Sequence, residues 1–262
     1  MRETGEQFNK SAFFGFKKKK TDYDKDHIIP ATFSLKQYCP QSGDQNFGTC
    51  YSYATAYSAR TILFNIENNE TNNTDANIFS PGFIQKLMVR KRRRCKRRGA
   101  STHTACKIIA EKGVVKRVDY PSDCSEQSID QNLRTKAIEH RSKIQRVVNP
   151  GMKNDKKTEL IKLSISEKKP VVITVFSKKT SMLKNTNGDL WKPTRTDLSK
   201  ANSKKSHHAM CIIGYDDNKY GGAYEVLNSY GDDWMNKGYF WIQYKDFNPF
   251  ISSAIEMGSI NQ

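Results

Sequence analysis

The hydrophobic period changes along this 262-residue chain, and that change constrains its fold more than any other feature. From Cys50 the apolar or small residues Ala54, Tyr57, Thr61 and Phe64 recur at helical spacing, with Ala56, Ala59 and Leu63 widening the stripe. A nearly all-buried helix is therefore predicted to begin at or just after Cys50. It ends before the Asn-rich, acidic residues 67–77, which have the composition of a surface loop. Ser80 and Pro81, ahead of Phe83, Ile84, Leu87 and Met88, supply an N-cap, a proline at the first helical position and a second stripe. Ser101 or Thr102 can cap a third helix carrying Ala105, Ile108 and Ile109, which Gly113 closes. A further helical pattern covers residues 159–169. The second half turns to short β-branched or aromatic runs at Val171–Phe176 and at residues 210–213, 224–227 and 239–242, bounded by Gly, Pro, Asn and Asp. A helical half followed by a strand-rich half implies an α+β protein of two packed lobes with its cleft at their junction.

Composition narrows the class. Apolar residues make up 36% of the chain, enough for a core and more than a compositionally disordered chain carries. The longest apolar stretch, Val171–Phe176, is broken by Thr174 and falls far short of the roughly 18 residues that a spanning helix needs. No membrane span is expected. Residues 12–16 are too short for a signal-peptide core and lead into four lysines rather than a small-residue cleavage site; a cytosolic protein is the expectation. Residues 1–26 show no periodicity and read as a loosely held, flexible basic arm.

Lys and Arg number 44 against 27 Asp and Glu, a net charge of +17. Two runs carry most of the excess: Lys17 to Lys20, and residues 90–98, from Arg90 to Arg98 around Cys95. Without them the balance is only +5. Such a run can be a solvated loop, or can hold a polyanion or acidic partner by neutralising phosphates or carboxylates. No aromatic residue interleaves the second run, so base stacking has no support there.

The six cysteines, at 39, 50, 95, 106, 124 and 211, form no Cys-x-x-Cys pair and no metal-like spacing with histidine. No metal site or cofactor is expected. One reactive thiol would leave five, an odd number that argues against a fully paired disulfide framework and fits a reducing compartment. Cys39, Cys106, Cys124 and Cys211 read as inert core residues. Asn9, Asn69 and Asn72 open short Asn-x-Ser/Thr matches of the kind that chance produces.

Cys50 stands apart. Gln45, Asn46, Phe47, Gly48 and Thr49 lead into it with an amide side chain and a glycine, and its place at a helix start sets the helix's N–H groups and positive dipole end beside the sulfur, which favours a thiolate. Such a thiolate needs an imidazolium partner. His207 and His208 open a strand after the turn-like residues 202–206, and one of them would serve. The imidazole in turn needs an acceptor to fix its tautomer, and Asn228 ends the strand at 224–227.

Three blocks in this order resemble the papain-like cysteine peptidases. Gly48-Thr49-Cys50-Tyr51-Ser52-Tyr53-Ala54 is similar to the family's Gly-Ser-Cys-Trp-Ala-Phe-Ala; His208-Ala209-Met210 through Gly214-Tyr215 to its His-Ala-Val…Gly-Tyr strand; and Asn228-Ser229-Tyr230-Gly231, with Trp234 and Gly238-Tyr239-Phe240, to its Asn-Ser-Trp-Gly…Gly-Tyr segment. The resemblance implies a helical lobe over roughly residues 40–140 and an antiparallel, barrel-like sheet lobe over roughly 141–262, with the active-site cleft between them. It implies Cys50 as nucleophile, His208 as acid and base, Asn228 as the residue orienting His208, and Gln45 with the Cys50 N–H as oxyanion hole. Ala100, His207 and Trp234 would then border the substrate, a peptide or protein.

The sequence departs from the family pattern at several points. Gln45 stands five residues before Cys50, where the family places its glutamine six before. Phe47 replaces a cysteine that many members pair in a disulfide, Tyr230 replaces a tryptophan, and Ala100 follows Gly99 where the family often has two glycines. His208 follows Cys50 by 158 residues, slightly beyond the roughly 130 to 150 usual in the family. No family-like propeptide is expected before the block, since only about forty residues precede Gln45. Two other functions fit the same residues: a catalytically silent binding protein that uses the basic segments, and a peptide acyl transferase or ligase with the same triad.

Overall fold

The computed structural model describes residues 28–71, 74–88, 99–121, 123–125, 127–176, 188–199 and 207–260. The arm over residues 1–26, the basic run at 90–98 and the turn at 202–206 lie outside them.

One continuous helix opens the helical lobe. It starts as α1 (Cys50–Ser52), widens into a π-helical stretch (Tyr53–Arg60) and narrows again into α2 (Thr61–Asn68). Side-chain hydroxyls compete for its carbonyls: Ser52 Oγ donates to Thr49 O, Thr55 Oγ1 to Tyr51 O and Thr61 Oγ1 to Ala56 O. That competition accompanies the widened turns. Every residue from Cys50 to Leu63 is buried, which fits its small side chains, and Asn69 ends the helix in a left-handed conformation.

Helix α3 (Pro81–Met88) carries the expected cap, with Phe83 N donating to Ser80 Oγ at 3.1 Å. In α4 (Thr102–Lys112) Ser101 Oγ accepts from Thr104 N. Gly113 closes α4 at φ 72°, packed so tightly that a Cβ would strike Ala137 O. A helix without a strong apolar stripe follows, α5 (Gln131–Ile138), capped by Asp130.

The strands are β1 (Thr32–Ser34), β2 (Lys143–Val148), β3 (Val171–Phe176), β4 (His207–Asp216), β5 (Ala223–Leu227), β6 (Tyr239–Gln243) and β7 (Ile251–Gly258). They form one antiparallel sheet in the order β2-β7-β3-β4-β5-β6, and β1 pairs with the far end of β4. Register shifts in the β2–β7, β3–β7 and β4–β5 pairs mark bulges that bend the sheet. The sheet stays open: β2 and β6 end its hydrogen-bonded path, so it is not a closed barrel. Helix α6 (Asn154–Ser166) packs on β2, β3 and β4, while the short α7 (Arg195–Ser199) and α8 (Tyr244–Phe247) lie between strands.

A single apolar cluster joins the lobes, with Cys50, Ile62, Phe83 and Ile109 from the helices and Val172, Ile212, Val226 and Phe240 from the sheet. Helix α1 packs on β4 and α4 on β2. Among the described residues no helix is long and apolar enough to cross a membrane.

Candidate active site

Cys50 is the first residue of α1 and is fully buried, its sulfur outside any disulfide. The loop before it makes a sharp bend. Phe47 sits at φ 59°, a left-handed conformation that costs a non-glycine residue roughly 1–2 kcal/mol. The bend turns the Phe47 carbonyl onto Gln45, whose Nε2 donates to it at 2.9 Å.

Across the lobes, His208 lies in β4 and Asn228 directly after β5. His208 Nε2 donates to Asn228 Oδ1 at 2.7 Å, and the same oxygen accepts from Ser229 N at 2.8 Å. With its hydrogen on Nε2, a neutral ring presents Nδ1 as its base nitrogen. Nδ1 is buried and makes no hydrogen bond among the described residues. Burial pushes the ring's pKa down to about 4, and the Asn228 bond opposes that fall. Tyr230 stacks on the His208 ring, centroids 5.0 Å apart and planes inclined by 23°. Trp234 meets Tyr230 edge-on at 5.5 Å and then Phe240 edge-on. The His208–Asn228 bond is itself buried.

The two loops that carry Gln45 and Asn228 are laced together. Gln45 N donates to Ser229 O, Gly231 N to Gly43 O, Ser42 Oγ to Asn228 O at 3.0 Å, and Ser229 Oγ to Gln45 Oε1 at 2.7 Å. Gly238 lies at φ 82° where these loops cross, and a Cβ there would collide with the Ser42 side chain.

A second buried network supports α1 from behind. Gln85 Nε2 donates to Ser52 Oγ, and Gln85 Oε1 accepts from Cys124 N at 3.1 Å. Tyr53 OH donates to Asp123 Oδ2 at 2.6 Å and lies 3.2 Å from Asp44 O. Burial raises the Asp123 pKa, against the lowering effect of the Tyr53 bond. Cys124 is disulfide-bonded and half-buried, so it is not the inert core thiol expected from sequence. Its left-handed φ of 60° places it in a turn rather than in a packed element. Cys39, Cys106 and Cys211 are buried thiols.

Of the other predicted site residues, Ala100 is half-buried just before the α4 cap and packs on the core. His207 is buried, its ring 5.0 Å from that of Phe176. Trp234 is almost fully buried in the aromatic stack, its indole N–H without an acceptor among the described residues. Sequence reasoning missed Ser42, Ser229 and the Phe47 carbonyl as parts of the site. Ser229 was visible only as a letter of the Asn-Ser-Tyr-Gly block, and Ser42 had no local signal.

The sequence profile of the papain family cysteine proteases matches residues 35–257. The chain belongs to this family. No curated protein sequence is significantly similar to it. Solved structures share the papain-family fold at low identity. Xylellain, a cysteine protease from Xylella fastidiosa, is 18% identical with a TM-score of 0.66, covering 98% of this chain and 92% of its own. Procathepsin L 3 from the larval midgut of Tenebrio molitor is 13% identical with a TM-score of 0.69, covering 90% of this chain and 72% of its own. A cysteine protease of Carica candamarcensis in complex with E-64 is 19% identical with a TM-score of 0.61, covering 88% and 99%. Papain-family membership agrees with the three sequence blocks and with an α+β architecture of helices packed on an antiparallel sheet.

Proposed function

We propose that this papain-family protein hydrolyses peptide bonds through an acyl-thioester on Cys50, with His208 as acid and base and Asn228 as the residue that orients it. The observation that carries this reading is the His208 Nε2–Asn228 Oδ1 bond of 2.7 Å, buried under Tyr230, with Nδ1 left as the base nitrogen. In this reading a deprotonated Cys50 within reach of the ring would supply the opposite charge that an imidazolium needs in a buried place. The thiolate attacks the scissile carbonyl carbon, and the negative charge that develops on its oxygen is met by N–H groups of Gln45 and Cys50. As the C–N bond breaks, His208 Nδ1 gives its proton to the departing amine. The same nitrogen then takes a proton from water as the water oxygen attacks the thioester, and the acid leaves with the thiolate restored.

The test is twofold. Peptide hydrolysis and labelling by E-64, the ligand in the Carica structure, are measured for wild type, Cys50→Ala and His208→Ala, with folding checked by circular dichroism. The expected result is a single adduct on Cys50 that depends on His208, and loss of turnover in both variants. Labelling scattered over other cysteines, or turnover that survives Cys50→Ala, overturns the assignment.

A further inference from the structure

We propose that Ser52 is a positioning residue for the oxyanion hole, strengthening the Cys50 N–H by hydrogen-bonding the carbonyl at the other end of the same peptide unit. The inference rests on the reading above, in which that N–H meets the reacting carbonyl oxygen. Three hydrogen bonds run in series behind α1. Cys124 N donates to Gln85 Oε1 at 3.1 Å, Gln85 Nε2 donates to Ser52 Oγ at 3.1 Å, and Ser52 Oγ donates to Thr49 O at 2.8 Å. The series starts at a backbone N–H, which only donates, and ends at a carbonyl, which only accepts, so every proton in it has one direction open to it. Ser52 and Gln85 are both nearly fully buried, so water does not readily take the place of either partner.

Thr49 C=O and Cys50 N–H belong to one peptide group. Its partial double-bond character couples the two ends: charge drawn onto the oxygen leaves the nitrogen more positive and its hydrogen a stronger donor. Thr49 O also accepts from Ser52 N at 3.0 Å and Tyr53 N at 3.3 Å, but the hydroxyl bond is the shortest of the three. The two backbone donors survive a side-chain change, so the hydroxyl is the part that a substitution can test. The family's Gly-Ser-Cys-Trp-Ala-Phe-Ala block has alanine where Ser52 stands, so this donor is an addition of the present chain.

The experiment compares wild type, Ser52→Ala and the Ser52→Ala/Gln85→Met double variant. Cys50 alone among the cysteines follows a threonine, so protein labelled with carbonyl-¹³C threonine and ¹⁵N cysteine gives a single carbonyl–amide NMR correlation, that of the Thr49–Cys50 peptide. In Ser52→Ala both of its resonances should move upfield, the direction expected when a carbonyl loses a donor. Losing an oxyanion donor outright costs about 10²–10³ in kcat and polarisation strengthens a hydrogen bond by about 10–30%, so Ser52→Ala is expected to lower kcat for peptide hydrolysis about two- to eightfold with KM little changed. Alkylation of Cys50 by iodoacetamide, a displacement that adds to no carbonyl, should keep its wild-type rate and pH dependence. Ser52→Ala leaves the Gln85 amide buried without its acceptor, whereas the double variant removes both partners and relieves that cost. Its kcat should nonetheless stay at the Ser52→Ala level. Recovery of kcat in the double variant assigns the loss to the orphaned amide and overturns the inference, as does a parallel loss of alkylation, an unaltered kcat or an unmoved Thr49–Cys50 correlation. Wild-type protein that hydrolyses no peptide, with the correlation still shifted in Ser52→Ala, overturns the peptidase reading while the bond itself stands, a result distinct from the others.

Discussion

At the scale of single residues, the site is a set of short-range choices made by distant parts of the chain. Asn228 both accepts the His208 hydrogen and fixes its tautomer. Asn228→Ala leaves the Nε2–H buried without that acceptor, so kcat should fall on the order of tenfold to a hundredfold. The Asn228 bond raises the pKa of His208, so its removal favours the neutral ring. The basic limb of kcat/KM against pH, where the imidazolium is lost, should therefore move to lower pH; a limb that stays in place would assign it to another group. Cys50, His208, Asn228 and Gln45 could be singled out from sequence because each lies in or just before a local block that resembles the family's. Ser229 and Ser42 were not, because their partners lie 184 and 186 residues away in the chain. No window of sequence holds both ends of such a bond.

Elements were legible where one physical signal dominated. Strand β3 is five β-branched residues closed by Phe176 and emerged with its predicted ends, and α3 and α4 carried their caps in plain view. Strands β2 and β7 escaped because both mix polar residues into buried positions. Arg146 in β2 and Glu256 in β7 are almost fully buried, and Glu256 accepts from Ser164 Oγ at 2.6 Å. The polar interior continues at Lys157, a buried lysine on α6 whose ammonium donates to Asn248 O at 2.6 Å and Ile251 O at 2.9 Å, tying α6 to the start of β7. Lys157→Met fits the space but orphans two carbonyls, and should destabilise the fold by about 1–3 kcal/mol for each one left unsatisfied. Urea titration followed by tryptophan fluorescence measures the loss, and an unchanged midpoint would show that water replaces the ammonium.

The whole molecule carries an acid sensitivity in its histidines. His103 lies 3.0 Å from Arg146 across the α4–β2 contact, and burial, then Arg146 and Lys107, lower its pKa to about 4. His140 packs edge-on against Phe64 and Phe79, and burial, then Arg60 and Lys116, lower it to about 4 despite Asp119. Both titrate at 6.5 when unperturbed, so between about pH 6.5 and 4 the unfolded chain binds more protons than the native one, and stability falls with pH through that window. The buried Asp123, raised in pKa, works in the opposite sense. The thermal midpoint should thus be flat above about pH 7 and drop toward pH 4, and His103→Gln should flatten part of the slope; an unchanged slope would exclude His103 as a contributor. The Gln85 bridge has its own practical bearing. Thiol reductants that keep a catalytic sulfur in working order also attack disulfides by exchange, and Cys124 is one hydrogen-bonded residue away from Ser52, two positions after Cys50. The additive that would sustain the proposed nucleophile in an assay thus acts on a crosslink beside its own helix, so reductant dose is a variable to titrate rather than a constant of the buffer.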